Sequence, residues 1–172
     1  SPITRDPVTE KTAEGNFLFK IYAKNGSTVR LRIGTEDYDA VVKGGLVSFN
    51  APPSSWYPAE PVESSPLMVT PDFTVITEDG TQTKVEIEPV AIDLPAVTVT
   101  LTAPTAPVTT GDGVVAVTGT VSDPMAQVVI GTQALSVALD GSFSGTYQLT
   151  QQGEQTITVE GRKPGAVIGK AT

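Results

Sequence analysis

The sequence contains neither cysteine nor histidine. These absences remove disulfide staples, thiolate nucleophiles, imidazole metal ligands and the commonest general base near neutral pH. Cysteine usage alone does not decide the compartment. Basic residues are also scarce: eleven Lys and Arg stand against nineteen Asp and Glu, for a net charge of −8. They are scattered, and no run of them would track a phosphate backbone, so nucleic acid is not an expected partner. No stretch reaches the roughly 18 apolar residues of a membrane-spanning helix, and no membrane insertion is expected. No cofactor motif is found and none is expected.

What is present points to strands. The 172 residues include 16 Gly and 14 Pro in a Thr- and Val-rich background with 39% hydrophobic content. Such a composition suits many short strands joined by turns. Residues 1–14 are polar and aperiodic and are read as an extended leader. From Phe17 the period becomes two, with Phe17, Phe19, Ile21 and Ala23 on one face. Asn25-Gly26 forms a turn; Val29, Leu31 and Ile33 follow, then a turn from Gly34 to Asp37. Tyr38, Ala40 and Val42 lead to Gly44-Gly45 and then to Val47-Ser-Phe49. Two β-hairpins are expected here.

Residues 51–71 break the pattern with six prolines, which cannot donate to a ladder, and are read as a long loop or edge excursion. Strand character returns at residues 73–77 and through Val85, Ile87 and Val90, until Asp93-Leu94-Pro95 ends the unit. Beyond it, Val97, Val99 and Leu101 precede a polar loop at residues 103–107 and 111–113. Alternating apolar residues then run through Val115, Val117 and Val121; Val128 and Ile130; Leu135, Val137 and Leu139; Phe143, Tyr147 and Leu149; Ile157 and Val159. Turns every eight to twelve residues are a sandwich signature. Of the 30 charged residues, 22 lie in residues 1–96. Periodicity, punctuation and composition together predict an all-β chain of two tandem immunoglobulin-like β-sandwich domains, at residues 15–95 and 96–172.

The halves share a pattern. Val29-Arg-Leu-Arg-Ile-Gly-Thr35 aligns with Ala126-Gln-Val-Val-Ile-Gly-Thr132, and Gly45-Leu-Val-Ser-Phe49 aligns with Gly141-Ser-Phe143 after a one-residue adjustment. Internal duplication and chance likeness of strand–turn–strand units are both open. The second half carries Val117-Thr-Gly-Thr-Val-Ser-Asp-Pro124, Val128-Val-Ile-Gly131, Leu139-Asp-Gly-Ser-Phe-Ser144, Leu149 and Gln155-Thr-Ile-Thr-Val159. On these residues, roughly 97–165, it resembles the bacterial immunoglobulin-like modules of the glucodextranase domain-B type. The resemblance implies a non-catalytic module of a long bacterial secreted or cell-surface protein, spacing or presenting other domains. The chain reads as a piece of such a parent, whose other domains are then the expected partners, with a surface glycan or protein as a further one.

Candidate sites are few. Gly141-Ser-Phe-Ser-Gly145 has Phe143 where a nucleophile elbow needs Ser, so it reads as a strand opening. The acids Glu36, Asp37, Asp39, Glu78 and Asp79 lack a calcium-loop spacing and read as surface acids at turns. Lys20 has no Asn on a final strand with which to form a cross-link. Trp56 and Tyr57, inside the Pro-rich stretch, are the candidate binding residues, able to stack on a sugar or anchor a partner. The competing expectation, which we favour for Trp56, is a cap over Phe49 and Phe73. Alternative functions are a carbohydrate-binding module accessory to a glycan-degrading enzyme and a phage or pilus structural component.

Overall fold

The computed structural model of the chain describes residues 1–104, 108 and 110–172; among them it is all-β apart from one 3-10 turn. Two compact units are present: Ser1–Tyr57 with Pro66–Asp93, and Pro58–Ser65 with Leu94–Thr172. The loop expected at 103–107 falls at Thr105, Ala106 and Pro107 outside the described residues.

In the first unit, β1 (Ile3–Lys11), β2 (Phe17–Ala23) and β5 (Leu46–Ala51) form one antiparallel sheet in the order β1-β2-β5. The other sheet has the order β4-β3-β7-β8, from β3 (Thr28–Ile33), β4 (Glu36–Val41), β7 (Asp72–Ile76) and β8 (Gln82–Lys84). A separate pair joins β6 (Leu67–Val69) to β9 (Val90–Ile92). The period-two faces meet in the core: Phe17, Phe19 and Ile21 of β2 are buried, as are Val29 and Leu31 of β3 and Phe73 and Val75 of β7. Phe73 links the layers, its ring centroid 5.3 Å from those of both Phe19 and Phe49. This is sandwich packing, with alternate residues of each strand facing inward.

Two expectations need correction here. Residues 3–11 are not a leader but β1, which pairs with β2 from Ile3↔Ala23 to Lys11↔Phe17. The strand escapes a periodicity reading because it lies at a sheet edge, has register shifts on both sides of Arg5, and contains Pro7. An edge tolerates a residue with no N–H to donate. The turn at Asn25-Gly26 does not close a hairpin either. It carries the chain from one sheet to the other, while the hairpin in this region is β3–β4 across Gly34-Thr35. Asn25 Oδ1 accepts the Gly45 N–H at 2.8 Å, and Gly26 N–H donates to Val42 O at 3.1 Å, so the turn ties two crossings together.

The second unit has sheets β10-β11-β14 and β13-β12-β15-β16. Their strands are β10 (Val99–Ala103), β11 (Val114–Val121), β12 (Gln127–Ile130), β13 (Gln133–Leu135), β14 (Ser142–Gln148), β15 (Val159–Arg162) and β16 (Gly169–Ala171). Val99, Val117, Val121, Val128, Ile130, Phe143 and Val159 form its buried core. Strand for strand, this is the order of the first unit without the β6–β9 pair. The sequence matches noted above fall on equivalent strands: β3 with β12, and β5 with β14. One alternation misled: Leu139 is 97% exposed, because β13 ends at Leu135 and a turn closed by Ala138 N–H to Ser142 O swings it outward.

Candidate functional site

The second unit's motif residues hold one another. Asp123 Oδ1 accepts the Met125 N–H at 2.9 Å while its carbonyl accepts the Ala126 N–H, closing the Asp-Pro turn. Its other carboxylate oxygen accepts from Lys163 Nζ at 2.6 Å. Asp140 does the same work in the next turn, accepting the Ser142 hydroxyl at 2.6 Å and the Ser142 N–H at 3.0 Å. Directly after Asp140 stands Gly141 at φ +88°, where a Cβ would run into the Val121 carbonyl oxygen. Gly119 is fixed by close approach instead: a Cβ there would meet Thr100 O at 2.3 Å and the Phe143 ring at 2.7 Å. Short polar side chains and glycine are what such turns and contacts require.

The hydrogen bonds also set acidity. The Lys163 ammonium, then the Met125 N–H, lowers the Asp123 pKa below the ordinary 3.8. The Ser142 hydroxyl and N–H lower Asp140 likewise, and the Thr110 hydroxyl with the Val114 N–H lowers Asp112. In the first unit the Thr77 hydroxyl, with help from Thr81, pulls Asp79 down to about 2. A carboxyl acting as a general acid near neutrality needs the opposite shift. The carboxylates that depart from ordinary acidity are all displaced downward.

Sequence reasoning passed over a charged lattice on the outer face of β4-β3-β7-β8. Arg30 forks onto Asp39, Nε to Oδ1 at 2.8 Å and Nη2 to Oδ2 at 2.9 Å. Arg32 reaches Asp37 at 3.2 Å, and Lys84 pairs with Asp72. Hydrogen bonding by Asp39 raises Arg30 and lowers Asp39 in turn. The signal was available: Arg30 and Arg32 precede Gly34-Thr35 at the distances at which Asp39 and Asp37 follow it. Opposite charges equidistant from a hairpin turn become cross-strand partners. Asp37 and Asp39 therefore face guanidinium groups. Among the described residues no group of three or more acids converges as a metal site. Lys20 pairs with Glu10 at 3.2 Å on the surface.

Trp56 ends the 3-10 turn Pro53–Trp56 that follows β5. Its half-buried ring stands edge-on to Phe17 and Phe19, with centroids 6.0 Å from each. The contacts differ from the expected pair. Phe49 and Phe73 pack on each other instead, because β5 turns back at Ala51 opposite Phe17 and delivers Trp56 over β2. Tyr57 is 40% exposed. The two aromatics are thus separated in environment, one packed and one open to solvent.

The span that holds these turn motifs also matches a known family. Residues 95–166 match the family model for glucodextranase, domain B. That domain-B span runs from just before β10 through β15 and contains both acid-capped turns, Gly119, Gly141 and Phe143. Residues 1–94 lie outside it. No curated protein matches the chain.

Proposed function

We propose that the chain is a structural or interaction module of a bacterial secreted or cell-surface protein, one that spaces or presents other domains and performs no catalysis itself. The domain-B match at residues 95–166 carries the reading, since the name denotes one domain of a larger enzyme. Support comes from the use to which the matched residues are put. Asp123 and Asp140 cap turns, Gly119 and Gly141 admit close packing, and Phe143 fills the core. The test replaces this chain, within its parent, by an unrelated β-sandwich of similar length. Retained parent function supports a spacer; loss that only the original chain restores would replace it with specific recognition. Purified chain incubated with a panel of glucans should release no reducing sugar.

A second reading is favoured by one observation, the exposed phenol of Tyr57 beside Trp56. In it, the first unit binds a glycan for a glycan-degrading parent, stacking a sugar on Tyr57. A glycan array separates the two. Binding lost in Tyr57→Ala at unchanged melting temperature supports this second role, and an array without hits removes it.

A further inference from the structure

Residues 58–65 belong to the second unit although they are remote in sequence from the rest of it, and they lie outside the domain-B span. Their main chain is held like a strand. Val62 N–H donates to Ala166 O at 3.0 Å, and Ile168 N–H donates to Val62 O at 2.9 Å, a parallel bridge centred on Val62 and Val167. Gly165 N–H reaches Glu60 O at 3.3 Å. On its other side, residue 167 bonds to Pro95 O at 2.8 Å and accepts from Val97 N–H at 3.0 Å. Residues 165–168 are therefore the middle of a three-piece parallel arrangement. Two side chains add selectivity: Lys170 Nζ lies 3.0 Å from Glu63 Oε2, and Ser65 Oγ accepts the Leu94 N–H at 2.9 Å.

Proline fits this strap for a physical reason. In a parallel ladder one residue sends both its N–H and its C=O to the same neighbour, and the next residue turns its groups away. Val62 faces residues 166–168, so the missing N–H of Pro61 falls on the outer side, where it costs nothing. The same residue blunts the new edge against further pairing. Pro58, Pro61 and Pro66 also restrict the unbound chain to extended forms, lowering the entropy lost on docking.

We propose that the edge formed by residues 165–168 is a peptide-binding site whose resident ligand is the chain's own segment 58–65. Its ligand class is an extended peptide with an apolar residue preceded by proline and followed by an acid, here Pro61-Val62-Glu63. Recognition rests on few hydrogen bonds and one exposed ion pair, so affinity for a free peptide is weak. Covalent tethering supplies a local concentration in the millimolar range and keeps the site filled. A partner strand of the same pattern would be added by the same β-augmentation.

Amide hydrogen exchange on the intact chain is the first test. Val62 and Ile168 N–H should exchange at similar rates, each at least about tenfold slower than in an unstructured peptide. Free-peptide exchange at Val62 beside a protected Ile168 would overturn the proposal without any variant. The second test replaces residues 59–64 by a Gly/Ser linker of equal length. Ile168 should lose protection and regain it on addition of millimolar synthetic peptide spanning residues 58–66, whereas the intact chain should not respond. A peptide carrying Val62→Pro lacks the central donor and should fail. Undiminished Ile168 protection in the linker variant, or equal rescue by the proline peptide, counts against the site. Should the linker variant not fold, the intact-chain exchange rates decide.

Discussion

Trp56 illustrates what one residue contributes and what a sequence conceals about it. Its ring is half-buried against Phe17 and Phe19, so truncation removes packing without opening a sealed cavity. Trp56→Ala should cost about 2 kcal/mol, below the roughly 3–5 kcal/mol of a fully buried aromatic. Urea denaturation measures this, and native emission should be blue-shifted relative to free Trp. A change under about 0.5 kcal/mol would mean that the edge contacts contribute little. The turn acids Asp123 and Asp140 could be read from sequence, because Asp before Pro or Gly acts on residues two positions away. The neighbours of Trp56 could not. They depend on where β5 releases the chain above a strand much earlier in sequence, a property of sheet pairing with no local signature.

At the level of elements, the legible strands were those with one buried face. β2, β3, β7 and β11 alternate cleanly because their inner residues are confined to the core. β1 was missed, and the strap at residues 58–65 was legible only as a loop or edge excursion, for a shared reason: both sit at edges, are held mainly through the backbone, and include proline. Backbone recognition leaves no hydrophobic period to find. The β11–β14 pair offers a sharper test than any of these. Gly119 and Phe143 are opposite each other in register, and the Phe143 ring lies over the space that a Cβ would occupy. Gly119→Ala should therefore destabilise the second unit by about 1–3 kcal/mol through overpacking. Combining it with Phe143→Leu should recover part of the loss, as a smaller side chain vacates the contact. Full additivity of the two substitutions in a double-mutant cycle would assign the overpacking to the Thr100 carbonyl, the other group a Cβ would meet, and not to the Phe143 ring.

Across the whole molecule, the depressed carboxylates give the response to acid a definite direction. Asp39, Asp79, Asp112, Asp123 and Asp140 are all lowered from 3.8, Asp79 to about 2. A carboxylate that is more acidic when folded stabilises the native state above its unfolded pKa, and this is lost as pH falls through the folded value. The urea midpoint should hold steady from pH 7 to about 5 and decline between about pH 4 and 2. Asp79→Asn should flatten the lower part of that decline; an unchanged acid limb would show that the hydroxyl and amide contacts at Asp79 carry no linkage. The two units also share a strand order, which creates a hazard during refolding, since β3 of one can be offered the partners of β12 in the other. The charges of the β3–β4 hairpin, Arg30 above all, are expected to guard against it. Docked in the register of β12, Arg30 would lose Asp39 and stand opposite Arg162 of β15, while Arg32 would exchange Asp37 for Ala134 on one side and find Glu160 on the other. Like a keyed connector, the hairpin accepts its own mate and rejects the look-alike. Neutralising Arg30 and Arg32 together with Asp37 and Asp39 should leave the native state close to its original stability yet lower the yield of soluble monomer after rapid dilution from urea.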